Sequence, residues 1–197
     1  MIEVELKSVV DDLALRRRAV ESAGAVLAFE GQLADRRYDT PDRTLHGRDH
    51  VLRMRSYADA SGARAELDWK GPTRREDGYK SREEIEVHVS EPDALATMLE
   101  RLGYRITMEI DREIVQYDLD GAMVRFECYP RMDTLVEVEG LPAGIEAAIA
   151  ATGLPREGFT SDRLPAFVAR FEARTGQRAA LCDRELGGDF PFRGDDA

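Results

Sequence analysis

Charged residues recur at every second position in one stretch of this chain after another, and few folds tolerate that pattern. Glu3, Glu5 and Lys7 alternate with Ile2, Val4 and Leu6. Arg53 and Arg55 alternate with Leu52 and Met54, and Arg64, Glu66, Asp68 and Lys70 with Ala65, Leu67 and Trp69. Arg82, Glu84 and Glu86 oppose Ile85 and Val87, Glu127 opposes Phe126 and Cys128, and Glu137 and Glu139 oppose Val136 and Val138. A period of two belongs to β-strands whose two faces meet different surroundings. On any one strand the ordinary reading is a half-buried strand with its polar face in water. Exposed faces usually mix Thr, Ser, Gln and Lys, however, whereas these are built almost wholly of Glu, Asp, Arg and Lys. Flanking helices also need an apolar surface to pack against. If the apolar faces turn outward onto helices, the charged faces line an interior. Periodicity alone leaves both arrangements open.

The rest of the chain supplies those helices. Residues 9–23 read as an amphipathic helix ended by Gly24, and 92–102 as a second, with Pro92 in its first turn and Gly103 past its end. Further helices are predicted over 143–152 and 161–175. Besides the first strand, strands are predicted near 25–39, 50–58, 63–70, 82–89, 104–118, 122–129 and 134–139, with Asp120-Gly121 as a hairpin turn. The fold class is therefore α+β and mostly β. Closing eight antiparallel strands into a barrel with flanking helices would remove exposed edges and leave room for one small ligand. Residues 1–175 form one domain in this reading; 176–197, with Gly187, Gly188, Gly194 and several Asp, form a loose acidic tail.

Composition narrows the partners. With 39 acids against 28 bases the chain carries a net charge of −11, which argues against non-specific binding to nucleic acid or anionic membranes. No apolar run is long enough to span a membrane and no leader is visible at Met1-Ile2-Glu3, so a cytoplasmic protein is expected, as a monomer or a homodimer. Cys128 and Cys182 are too few for a disulfide framework, and His46, His50 and His88 lack zinc-ligand spacing. There is no P-loop, so any phosphate must be held by side chains.

The charged face suits one ligand class. Carboxylates at i and i+2 can share a hard cation such as Mg²⁺ or Mn²⁺, and without one they repel. Arg grips phosphate oxygens with a planar fork and Lys with a point charge. Both signs together fit a polyphosphate with a bound metal ion.

Here the sequence resembles the CYTH superfamily, the triphosphate tunnel metalloenzymes. Glu3-Val4-Glu5-Leu6-Lys7 matches its ExExK signature. Tyr38-Asp39-Thr40-Pro41, Leu52-Arg53-Met54-Arg55, Lys70-Gly71-Pro72, Arg82-Glu83-Glu84-Ile85-Glu86, Arg112 and Glu137-Val138-Glu139 follow in the family's order. The resemblance implies a small-molecule triphosphate substrate, with Glu3, Glu5 and Lys7 as catalytic residues. Lys7, Arg53, Arg55, Lys70, Arg82, Arg112, Glu84 and Glu86 would line the substrate, and Glu3, Glu5, Glu127, Glu137 and Glu139 would hold Mg²⁺ or Mn²⁺. Two departures stand out: the family's Lys on the sixth strand is Ile110 here, and Glu127 replaces a usual Asp. The expected activity is metal-dependent triphosphate hydrolysis. The alternatives are conversion of ATP to cAMP and pyrophosphate, as in class IV adenylyl cyclases, and a non-catalytic polyphosphate-binding module.

Overall fold

The computed structural model describes residues 4–76 and 79–191. Strand β1 (Val4–Val9) leads into helix α1 (Leu13–Ser22), whose first turn is capped by Asp12: its carboxylate accepts a hydrogen bond from the Leu15 amide at 2.9 Å. The long strand β2 (Val26–Asp39), the short helix α2 (Thr44–Gly47) and strands β3 (Val51–Asp59) and β4 (Gly62–Lys70) follow. A small hairpin, β5 (Arg74–Glu76) with β6 (Tyr79–Ser81), was not foreseen and stands apart as its own two-stranded sheet. Next come β7 (Glu84–Val89), α3 (Pro92–Arg101), β8 (Arg105–Leu119), β9 (Ala122–Cys128), β10 (Leu135–Gly140) and α4 (Pro142–Thr152). The β8–β9 turn has the chemistry read from sequence: Asp120 and Gly121 both take positive φ, 48° and 80°, as a tight two-residue hairpin requires. Helices α5 (Leu164–Thr175) and α6 (Asp183–Leu186) end the described chain.

The eight strands expected from alternation form one antiparallel sheet in the order β1-β10-β9-β8-β2-β3-β4-β7. Among the described residues no ladder joins β1 to β7, so strand pairing stops short of the closed barrel that the sequence suggested. Part of β1's outer edge is taken instead by Thr160: the Lys7 amide donates to its carbonyl at 2.8 Å, and the Thr160 amide donates to the Lys7 carbonyl at 2.9 Å. The sheet nonetheless curls strongly. Arg55 on β3 interacts electrostatically with Glu137 on β10, although three strands lie between them. On a flat sheet four strand spacings would separate them by about 19 Å. Gly31 helps the curl, because a Cβ there would meet the Ala58 carbonyl oxygen of β3 at 2.2 Å.

Curling gives the sheet an outer and an inner face. Outward, Val115, Tyr117, Val124, Phe126, Val136 and Val138 pack beneath Val20 of α1 and Ile145, Ala148 and Ile149 of α4. Burial of each such aliphatic side chain contributes about 1.5–3 kcal/mol. Farther round, Tyr38, Met54 and Leu67 pack beneath Leu95 and Leu99 of α3. The expectation that Leu67 and Val138 face helices is met; Ile2 and Glu3 lie outside the described residues. The inner face is not wholly charged. Leu33, Tyr57 and Ile114 form one apolar cluster on it, and Met108, Ile110 and Leu135 another, covered by Phe167 of α5 and by Leu181. Leu181 belongs to the segment read from sequence as a loose tail. Ala179, Ala180, Leu181 and Cys182 are all buried, and the Asp111 amide of β8 donates to the Leu181 carbonyl at 2.7 Å. Residues 179–182 and Glu185 are therefore packed against the domain, which the loose-tail reading did not foresee. No helix among the described residues is long and apolar enough to cross a membrane.

Candidate functional site

The charged band of the inner face is built by register. Across β2, β3 and β4 the pairing aligns Asp35, Arg55 and Glu66 in one row, and Arg37, Arg53 and Asp68 in the next, continued by Glu86 on β7. At the other end of the sheet, Glu5 pairs with Glu139, and Lys7 with Glu137, which pairs in turn with Arg125. Because cross-strand partners share a face, these rows point their side chains into the same space.

Asp35, only 2% exposed, is the hub of the cluster. Its carboxylate accepts from Arg55 Nε at 3.0 Å, lies 3.7 Å from Arg53 Nε and pairs with the buried Arg112. Arg53 is also held by Asp68 at 3.1 Å. Burial disfavours the Arg55 charge, but Tyr57, Asp68, Glu137 and Glu66 outweigh it and hold the guanidinium's pKa above its ordinary value. Arg53 is shifted the other way: burial, then the neighbouring Arg55 charge, lowers its pKa. The cluster thus contains closely spaced like charges, which a multiply charged anion would relieve.

The carboxylates divide into two kinds. Glu127 is fully buried, with both oxygens engaged: Oε1 accepts from Arg112 Nη1 at 2.7 Å and Oε2 from the Tyr129 hydroxyl at 2.6 Å. Here it holds Arg112 and Tyr129; the sequence reading had it among the metal-side carboxylates. Glu137 is also buried, 3.3 Å from Lys7 Nζ and 3.6 Å from Arg125 Nη1. Burial alone would raise its pKa, but Lys7, Arg125 and Arg112 bring it below the ordinary value. Glu5 pairs with Lys7 and is half exposed. Glu139 lines a shallow depression of about 430 Å³ with Asp118, Gly121, Ala122, Met123 and Gly140, where the inner face reaches the surface. Glu5, Glu137 and Glu139 have the all-oxygen chemistry that a hard divalent ion prefers, and their strands are adjacent. Among the described residues, no three acids or histidines are gathered closely enough to hold an ion.

Four sequence-derived residues sit at the margin. Lys70 pairs with the exposed Glu84 at 2.7 Å, and Glu86 is exposed. Arg82 is tied to Asp49 and to the Thr73 hydroxyl rather than to the central acids. Sequence reasoning missed Asp35, Arg37 and Arg125 altogether, although Leu33-x-Asp35-x-Arg37 carries the same alternation and Arg125 stands two residues before Glu127.

The CYTH domain family model matches residues 1–129. The chain belongs to the CYTH domain family. Solved structures similar to this CYTH domain include a Vibrio parahaemolyticus protein provisionally named an adenylate cyclase, with TM-score 0.70 and 19% identity over 86% of this chain and 98% of that one. The PH1819 protein of Pyrococcus horikoshii aligns with TM-score 0.63 and 22% identity over 89% of this chain and 99% of that one. HpAC1 from Hippeastrum, provisionally an adenylyl cyclase and described as having a dominant triphosphatase activity, aligns with TM-score 0.59 and 16% identity, covering 91% and 98%. At such identities the likeness shared with these structures is one of fold. Among curated proteins no sequence matches.

Proposed function

We propose that this CYTH domain hydrolyses a triphosphate with the help of a divalent cation, its substrate enclosed as in a tunnel by the curled inner face. The observation that carries the reading is the buried group of Arg53, Arg55 and Arg112 around the single carboxylate of Asp35. Asp68 and Glu127 also hold Arg53 and Arg112, so the guanidinium groups are fixed in place by carboxylates and gathered together, an arrangement that suits a ligand bearing several negative charges.

In this reading Arg53 and Arg55 bind non-bridging phosphate oxygens through their forks, and Lys7 supplies a third cation from β1. Arg112, fixed by Asp35 and Glu127, backs the cluster and keeps its field directed at the phosphates. Glu5, Glu137 and Glu139, with Glu3 preceding them in β1's alternation, are the donors that would hold Mg²⁺ or Mn²⁺; such an ion would offset phosphate charge and polarise the phosphoryl group. Glu5 and Glu139 would orient a water by accepting its hydrogen bonds. The Arg wall also stabilises the charge that spreads over the equatorial oxygens as the phosphoryl group transfers.

Incubation with Mg²⁺ or Mn²⁺ and tripolyphosphate, thiamine triphosphate or ATP, followed by product identification, tests this. Orthophosphate release supports hydrolysis, cAMP with pyrophosphate would replace it by cyclisation, and tight binding without product would make the domain a polyphosphate-binding module. Arg55→Ala should weaken triphosphate binding or turnover by about 2–4 kcal/mol, with Arg55→Lys recovering only part. An Arg55→Ala protein that performs like wild type would remove the basis of the proposal.

A further inference from the structure

Next to the row of Asp35, Arg55 and Glu66, the inner face changes character. The adjoining row, Leu33, Tyr57 and Arg64, is paired across β2, β3 and β4 and is apolar except for one cation. Arg64 lays its guanidinium over the Tyr57 ring, 3.6 Å from the ring centre, and stands 5.8 Å from that of Phe29. Phe29 meets Tyr57 edge-on, with ring centres 5.6 Å apart. This bed is firm, because Tyr57 is buried and packs with the buried Leu33 and Ile114. On another side, Arg64 Nη1 donates to the buried carboxylate of Glu66 at 3.3 Å. The guanidinium is therefore held both by its flat face and by its edge. Even so, 51% of the Arg64 side chain is exposed, so the side turned away from Tyr57 is open to solvent. A guanidinium fixed in this way offers its second flat face to another ring, since planar groups stack on arginine as arginine stacks on them.

We propose that Arg64, bedded on Tyr57, is a stacking platform for an uncharged planar ring at the organic end of the substrate, which makes that substrate a triphosphate bearing a nucleobase-like ring rather than inorganic tripolyphosphate. This assignment rests on the triphosphate reading above and names the class of substrate within it. The platform's row lies two residues along the strands from Arg55, about 7 Å, a distance that a sugar-sized linker between phosphate and ring spans. The ring must be uncharged because the platform is a cation. A cationic ring close to the phosphates, such as the thiazolium of thiamine triphosphate, would be repelled by it. The platform also gives the substrate a direction, with its ring at the Arg64 row and its phosphates on the charged band.

Calorimetry at fixed Mg²⁺ with ATP, ribose 5-triphosphate, thiamine triphosphate and tripolyphosphate tests it on wild type, Arg64→Lys and Tyr57→Leu. Wild type should bind ATP about tenfold more tightly than ribose 5-triphosphate, which lacks the ring, and more tightly than thiamine triphosphate. Arg64→Lys keeps the charge and loses the plane, so it should bring ATP and ribose 5-triphosphate within about threefold of each other while moving tripolyphosphate by less than about threefold. Tyr57→Leu removes the bed and should behave in the same way; the exposed Arg64 carries the test if that variant does not fold. Equal affinity of wild type for ATP and ribose 5-triphosphate, an Arg64→Lys protein that keeps the preference, or tighter binding of thiamine triphosphate than of ATP overturns the platform. If tripolyphosphate still binds in that case, the triphosphate reading stands; if wild type binds none of the four, both fall.

Discussion

Asp35 shows how much one carboxylate controls. It is the shared acceptor for guanidinium groups from β3 and β8, and its own strand also delivers Arg37 into the same space. Asp35→Asn keeps the shape and removes the charge, leaving buried arginines to repel one another. The expected cost is about 3–5 kcal/mol of folding stability, the usual penalty for stranding a buried charge. Urea unfolding measures it, and added tripolyphosphate should restore part of the loss, which a purely steric defect would not allow. Glu137 makes a second prediction through pH. Its folded pKa is depressed below the ordinary 4.5, so it contributes stability that is fully present above that value and is lost as pH falls through the folded pKa. Unfolding midpoints from pH 6 down to 3 should therefore decline less steeply in Glu137→Gln than in wild type. The charged alternation made most of these residues legible in advance, because near-pure Glu and Arg at i, i+2 is hard to mistake. Asp35 and Arg37 escaped because the adjacent Arg36 breaks the pattern; it turns to the other face and pairs with Asp111 at 2.7 Å. Glu127's role escaped for a different reason. Nothing in a strand's own sequence says which cation from a neighbouring strand will consume its oxygens.

Among the elements, the C-terminal segment departs most from expectation. Its glycines and acids read as tail composition, and only the short apolar run Ala179-Ala180-Leu181-Cys182 argued otherwise. What decides its position is tertiary. The first half of β8 extends beyond its ladder with β9, and residues 180–182 lie there, with Ala180 bridging Arg131 and Leu181 bonded to Asp111. Leu181 then closes the apolar cluster that α5 lays over Met108, Ile110 and Leu135. Leu181→Ala should cost about 2–5 kcal/mol, the range for emptying a well-packed aliphatic site. Thermal unfolding checks it, and an unchanged midpoint would mean the segment contributes little to the domain. The eight strands of the main sheet were readable to within a residue or two, since their period is imposed by the chain's own geometry; the β5–β6 hairpin was not. That β1 and β7 share no ladder among the described residues was not readable, because Thr160, which bonds to β1's edge, comes from a loop with no strand pattern of its own.

Over the whole molecule, a net charge of −11 would repel the polyanion proposed as substrate. A divalent cation at the carboxylate end would remove part of that repulsion. Mg²⁺ and tripolyphosphate should therefore raise each other's affinity by the same factor, measurable by calorimetry in either order of addition, and independent affinities would contradict this. The pairing of β1 with β10 has a consequence of another kind. It joins residues 130 positions apart, as in Lys7 and Glu137, so the first strand made is among the last to find its neighbour. During synthesis β1 must wait with its hydrogen-bonding edges open until β10 and Thr160 have emerged. Such long loop closures slow folding. The part of the chain that the family model matches, residues 1–129, ends before β10 begins, so a fragment cut to that match would lack the strand against which Lys7 is seated.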